Sequence, residues 1–172
     1  MKKPIILSLI MMMAVALVVA DEPLTVFERF PNALGAHGII DTAGGNGLGG
    51  LSYQHWFGKS GLQVSAGGLV NDYGSFDYNL FGSYQYRVYG DDFNEWFAGA
   101  LYTNVLLGHS GSGGEDQAYR PLVHLGLGIG IETVLLEHLA PSVEFMYLGS
   151  LNPLDMALNI GFGVGFNLRY RY

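Results

Sequence analysis

The chain closes with Leu158-Asn159-Ile160-Gly161-Phe162-Gly163-Val164-Gly165-Phe166-Asn167-Leu168-Arg169-Tyr170-Arg171-Tyr172. Every even-numbered residue here is a bulky aliphatic or aromatic one, and every odd-numbered residue is Gly, Asn or Arg. Successive side chains of a strand point to opposite faces, so this period of two describes one long strand. It has an unbroken apolar wall on one side and a wall of small or polar groups on the other.

The same division recurs upstream. Val123, Leu125, Leu127, Ile129 and Ile131 alternate with His124, Gly126, Gly128, Gly130 and Glu132. Val143, Phe145 and Tyr147 alternate with Ser142, Glu144 and Met146, and Leu62, Val64, Ala66 and Val70 with Gln63, Ser65 and Gly67. Phe76, Tyr78, Leu80, Tyr84, Tyr86 and Val88 oppose Asp77, Asn79, Ser83, Gln85 and Arg87, while Phe97, Leu101, Val105 and Leu107 oppose Ala98, Ala100, Tyr102 and Asn104. Two weaker strands, blurred by Gly, fall at residues 32–40 and 48–57. Tight turns are expected at 58–60, 90–94 and 137–139, with the other connections at 42–47, 71–75, 109–120 and 150–156. The Gly- and Ser-rich stretch 109–120, with its acidic Glu115-Asp116, reads as a mobile loop open to a basic partner. Eight antiparallel strands with both ends on one side define an up-and-down barrel.

Composition decides which kind of barrel. The 172 residues are 49% hydrophobic and only 13% charged, half the charged share of an average soluble domain. A soluble lipocalin-like barrel keeps an apolar lumen and a charged exterior. Here the charges fall in turns or on the small face, which fits the narrow inside of an eight-stranded barrel, and the bulky face fits lipid. The expected fold is therefore all-β, an eight-stranded antiparallel transmembrane barrel. The acidic balance, −7 overall, excludes a nucleic-acid binder, and the absence of Cys excludes disulfides and Cys-ligated zinc.

The N-terminus reads as an export signal. Lys2 and Lys3 precede an apolar run from Ile5 to Val19, and Val18-Val19-Ala20 offers a small-residue cleavage site. The expected organisation is a signal peptide over 1–20 cleaved after Ala20, a periplasmic lead-in over 21–31, and the barrel over 32–172. Removing the signal leaves Lys59 as the only lysine.

Aromatic residues fall in two groups. Trp56, Phe57, Tyr86, Tyr89, Phe93, Trp96, Tyr170 and Tyr172 lie toward the tight-turn end, and Tyr73, Phe76, Tyr78, Tyr119 and Tyr147 toward the other. Two belts are what the two membrane interfaces favour. With these features the chain resembles the small eight-stranded outer-membrane barrels of the OmpX, OmpW and OmpA membrane-domain type. The ending with Phe166, Leu168, Tyr170 and Tyr172 is similar to that family's C-terminal assembly signal. The resemblance implies a place in the cell outer membrane and recognition by the barrel-assembly machinery; the expected partners are that machinery and outer-membrane lipid, and the expected state is a monomer. It implies no single activity.

Candidate chemistry is sparse. Gly45-Asn46-Gly47-Leu48-Gly49-Gly50 has the letters of a dinucleotide fingerprint without the strand and helix that motif needs. His37, His55, His109, His124 and His138 show no metal-ligand spacing, and none has the Ser two residues on that PagL-type lipid A deacylases use. No cofactor or metal is expected. The remaining constellation is in the lumen. Folding the sixth strand on the seventh about His138 sets Glu132 opposite Glu144, with inward Arg87 at similar height and Arg169 and Arg171 nearer the rim. Two carboxylates side by side fit either an acid–base pair or a plug in which Arg neutralises them. The plug is the reading adopted, with Arg87 as the expected partner of both acids. The inward glycines at 126, 128, 130, 161, 163 and 165 leave room either for large side chains such as Tyr102 and Phe81 or for a cavity. The expected role is a structural or surface-interaction barrel rather than an enzyme. A narrow pore or lateral-diffusion channel for small or apolar solutes is the alternative, and a lipid-modifying enzyme the third reading.

Overall fold

The computed structural model describes residues 25–42, 47–70, 75–114 and 117–172. The export-signal reading of 1–20, residues 45 and 46 of the glycine motif, and the Glu115-Asp116 pair lie outside the described residues. A single helical turn, α1 (Val26–Arg29), precedes eight strands: β1 (Asn32–Asp41), β2 (Gly47–Phe57), β3 (Ser60–Val70), β4 (Phe76–Asn94), β5 (Phe97–Gly114), β6 (Gln117–Leu135), β7 (Leu139–Asn152) and β8 (Ala157–Arg171). Each strand pairs antiparallel with its sequence neighbours, and β8 returns to β1, so the sheet is a closed barrel. The closure continues past the strand ends, where Asn32 and Tyr172 exchange both backbone hydrogen bonds.

The register fixes the barrel's girth. Paired residues lead from Leu168 through Ala36, Leu51, Ala66, Leu80, His109, Val123 and Leu151 back to β8 at Leu158, ten residues away. Eight strands with that stagger tilt by roughly 40° and leave an interior just wide enough for side chains.

Inside and outside follow the period of two. On β8, Leu158, Ile160, Phe162, Phe166, Leu168 and Tyr170 are exposed, as is Tyr172 just beyond it, whereas Asn167, Arg169 and Arg171 are buried. Leu125, Ile129, Ile131, Leu62, Val64, Leu80 and Tyr84 are likewise exposed. A surface this apolar is at equilibrium in lipid rather than water. The fold is an eight-stranded antiparallel up-and-down transmembrane β-barrel.

Four details depart from the sequence expectations. Residues 90–94 are not a turn: β4 runs on to Asn94 and the chain reverses at Glu95-Trp96. Irregularities between Arg87 and Tyr89 and between Asp92 and Asn94 bend this hairpin, as bulges do. The stretch 109–120 is not a free loop either, since β5 and β6 stay paired as far as Gly114 and Gln117. Two of its glycines are covered: a Cβ on Gly111 would meet Tyr78 and Tyr119 within 3.0 Å, and one on Gly113 would meet Phe76 at 3.2 Å. Tyr78 and Tyr119 join above them through a 2.6 Å hydroxyl hydrogen bond. Trp56, assigned to the lipid belt, is 2% exposed and points into the lumen beside Gly61. Finally, the lead-in contains α1, which is tucked into the barrel mouth.

Candidate functional site

The lumen is the interior that the described strands enclose, and its side chains are set by strand parity. At the end where the termini lie, the inward positions are small: Ala98 and Ala100 on β5, Val134 on β6 and Ala140 on β7. The hollow they leave is filled by Val26 and Phe27 of α1 and by Trp56. Thr25 and Glu28 form a capping box that starts the turn, with the Thr25 N–H donating to the Glu28 carboxylate at 2.9 Å. Four helical residues do not hold together alone, so α1 is held by the barrel. The Val26 N–H donates to Asp92 at 2.9 Å, and Arg29 pairs with Asp92 at 2.8 Å.

Arg87 belongs to this mouth and not to the carboxylate pair. Its guanidinium donates to the Thr25 hydroxyl at 3.2 Å, to Glu28 at 3.4 Å and to the Gly58 carbonyl at 3.1 Å, and lies 4.9 Å from the centroid of Phe27. The expectation that Arg87 neutralises Glu132 and Glu144 is therefore corrected. The bulge just after Arg87 and the arrival of Glu28 give it a closer acid.

One layer deeper, Glu132 on β6 takes both guanidiniums of β8. Arg169 donates to it at 2.5 Å and to Ser142 at 3.1 Å, and Arg171 donates to it through Nε at 3.1 Å and again through Nη2. Arg171 also reaches Gln54 at 2.7 Å and the Phe30 carbonyl at 3.1 Å. Glu144 stands two residues away in register. Glu132 pairs with Ser142, and Glu144 with Gly130, because the turn centres on Glu137 rather than His138. Leu136 and Glu137 both take positive φ in the turn that the His138 N–H closes onto the Leu135 carbonyl at 3.1 Å, as the central residues of a primed turn do. Glu144 accepts from the Tyr102 hydroxyl and from Asn104, each at 2.7 Å, and from Asn167 at 3.3 Å.

Amides join the two acids into one network. Gln63 accepts from Arg169 and donates to Asn167 at 3.0 Å, and Gln85 donates to Gln63 at 3.1 Å and to Glu144 at 3.4 Å. Gln54 donates to Gln85 at 2.7 Å, closing the circuit back to Arg171. The formal charges of Arg169, Arg171, Glu132 and Glu144 cancel, as a group sealed from water requires. Gln63 and Gln85 stand on the polar face of the period-two pattern, whereas Gln54 lies on the strand whose parity glycine blurs.

Above this layer the lumen turns apolar, with Ile39, Phe81, Leu106, Met146 and Leu148 buried together. The inward glycines accommodate the large side chains. A Cβ on Gly130 would lie 2.3 Å from the Tyr102 ring, and one on Gly108 would lie 2.1 Å from Phe81. Nearby, His37 meets Ser65 at 2.9 Å, and His124 meets Ser110 at 2.7 Å and Ser150 at 2.9 Å. The Ser110–His124 pair has a hydroxyl rather than a carboxylate on its second ring nitrogen, and both residues are buried. It lacks the orienting acid and the open face that a nucleophile needs. Among the described residues no three His, Cys, Asp or Glu side chains form a metal site.

Toward the C-terminal end of β8, Phe166, Leu168, Tyr170 and Tyr172 all project outward. Tyr170 stacks on His138 at 5.0 Å.

No protein-family model and no curated protein matches the chain. Among solved structures, it is similar to the N-terminal β-barrel domain of Pseudomonas aeruginosa OprF, with a TM-score of 0.59 and 13% identity over 82% of this chain and 96% of that one. Neisserial surface protein A aligns with a TM-score of 0.44 and 11% identity, covering 87% and 97% of the two chains. The attachment invasion locus protein Ail of Yersinia pestis aligns with a TM-score of 0.39 and 13% identity, covering 83% and 97%. The OprF likeness concerns the fold, a small outer-membrane-type barrel, and does not single out the OmpX, OmpW or OmpA type.

Proposed function

We propose that the chain is a small outer-membrane protein whose lumen is plugged by its own side chains, and that it serves as a structural or surface-interaction barrel rather than as a conduit or an enzyme. The observation that carries this reading is the sealing of the polar network. Glu132, Arg169 and Arg171 have 0% side-chain exposure although they sit in the centre of a barrel. A water-filled channel wets its charged lining, whereas here each carboxylate is saturated by protein donors. The same saturation removes Glu132 and Glu144 from acid–base chemistry, because neither has a free face for substrate or water.

Outer-membrane lipid is the partner that the exposed apolar wall fits, and the barrel-assembly machinery is the one that the aromatic C-terminus fits. In this scheme the end carrying α1 and the termini faces the periplasm, and residues 1–20 are removed after Ala20. Planar-bilayer recordings of the exported protein test the plug. The expected result is a baseline without unitary steps. Reproducible unitary conductance would replace the plug with the narrow-pore reading.

A further inference from the structure

We propose that the mouth of the barrel at α1 is a peptide-binding socket, and that the chain's own segment 25–30 is its resident, exchangeable ligand. The fitting ligand is a short peptide carrying an aromatic side chain followed by a carboxylate and a cation. Naming this end periplasmic rests on the reading above, but the socket does not.

The barrel builds the socket without help from α1. Ala98, Ala100 and Ala140 form its floor together with Val134. Alanines at inward positions leave a hollow that a side chain of the strands would otherwise fill. Arg87 on β4 and Arg171 on β8 flank the hollow, each with its guanidinium 4.9 Å from the Phe27 ring centroid. That is a clamp for an aromatic face. Arg171 is held from behind by Glu132 and Gln54, and of its hydrogen bonds the one to the Phe30 carbonyl, at 3.1 Å, goes to the segment itself. Phe27 itself is 0% exposed.

The polar contacts that flank the aromatic ring are of two kinds: the Arg87–Glu28 pair is largely covered, with side chains 5% and 22% exposed, whereas the Arg29 pairs lie at the rim. Glu28 meets Arg87, and Arg29 meets Asp92 and, at 3.6 Å, Glu137. The Arg29 side chain is 48% exposed. None of residues 25–30 belongs to the strand ladder, so the segment's departure breaks no strand pairing. A buried anchor, Arg29 ion pairs open to solvent and a turn too short to persist alone describe a ligand that can leave and be replaced.

The reporter is already in place. The chain has two tryptophans. Trp56 lies edge-on to Phe27 with 6.3 Å between centroids, while Trp96 is on the outside. In the full-length protein carrying Trp96→Phe, acrylamide quenching of Trp56 is weak while the socket is filled. Adding Phe27→Ala is expected to raise that quenching several-fold without loss of the heat-modifiable gel band. The free peptide Thr-Val-Phe-Glu-Arg-Phe then restores the protection saturably at submillimolar concentration, and the same peptide with alanine for its first phenylalanine does not. The protein with Phe27 intact shows no response to peptide. If Phe27→Ala prevents folding, Asp92→Asn, which loosens Val26 and Arg29, is expected to give the same peptide-reversible rise. Quenching unchanged by either substitution, or a rise that millimolar peptide does not reverse, would overturn the proposal.

Discussion

Glu132→Gln is the substitution that tests the lumen network most severely. The carboxylate is fully buried and is the shared partner of Arg169 and Arg171, both also fully buried. Glutamine keeps the shape and one acceptor oxygen but leaves two guanidiniums without a contacting carboxylate. Arg169 retains Gln63 and Ser142, and Arg171 retains Gln54 and the Phe30 carbonyl, so hydrogen bonds remain while the charge is uncompensated. Breaking a buried pair in this way costs about 3–5 kcal/mol. Adding Arg169→Met removes one of the stranded cations, so the double variant is expected to fall short of the sum of the singles by about 1–3 kcal/mol. Reversible urea unfolding in detergent or vesicles, read by the heat-modifiable gel shift, supplies the four free energies. Additivity within about 0.5 kcal/mol would refute the reasoning, since independent sites behave that way.

Three other outcomes follow from the same geometry. Gly130→Ala is expected to destabilise by about 1–3 kcal/mol through overpacking, because its Cβ would lie 2.3 Å from Tyr102, while Gly82→Ala, with nothing within 4 Å, is expected to be near neutral; equal costs would remove the packing argument. Leu127→Arg should cost about 2–4 kcal/mol in a bilayer, the penalty for a lipid-facing cation near mid-membrane, and a neutral result would reverse the inside–outside assignment. The amides of residues 110–114 should exchange slowly with solvent because they are in the β5–β6 ladder, and exchange at loop rates would restore the free-loop reading of that stretch.

The barrel was legible in the sequence because its surface is binary. An unbroken lipid wall and a small-residue lumen make period two visible on β8 and β6 without any homologue. What failed to show has local physical causes. Trp56 looks like a belt residue by type, and its strand carries glycines on both faces that hide the parity placing it inside. Residues 109–114 look like a loop by composition, but the side chains that make them strand come from Phe76, Tyr78 and Tyr119 on the neighbouring strands. No periodicity can announce a four-residue helix such as α1, and Phe27 is explained only by the alanines it packs against, which lie on two other elements. For the lumen site, parity was enough to select Glu132, Glu144, Arg169 and Arg171 as inward residues. It was not enough to pair them. A one-residue shift in the β6–β7 turn centre and the bulge after Arg87 decide which guanidinium meets which acid.

A plugged lumen is sealed from water, and side-chain proton exchange of the two β8 arginines measures that seal directly. In the folded protein in micelles, the guanidinium N–H resonances of Arg169 and Arg171 should exchange with water far more slowly than those of Arg29 at the exposed rim, and Glu132→Gln should accelerate both. Exchange of Arg169 and Arg171 at the Arg29 rate in the unmodified protein would mean that water reaches the centre of the barrel, and the plug would not stand.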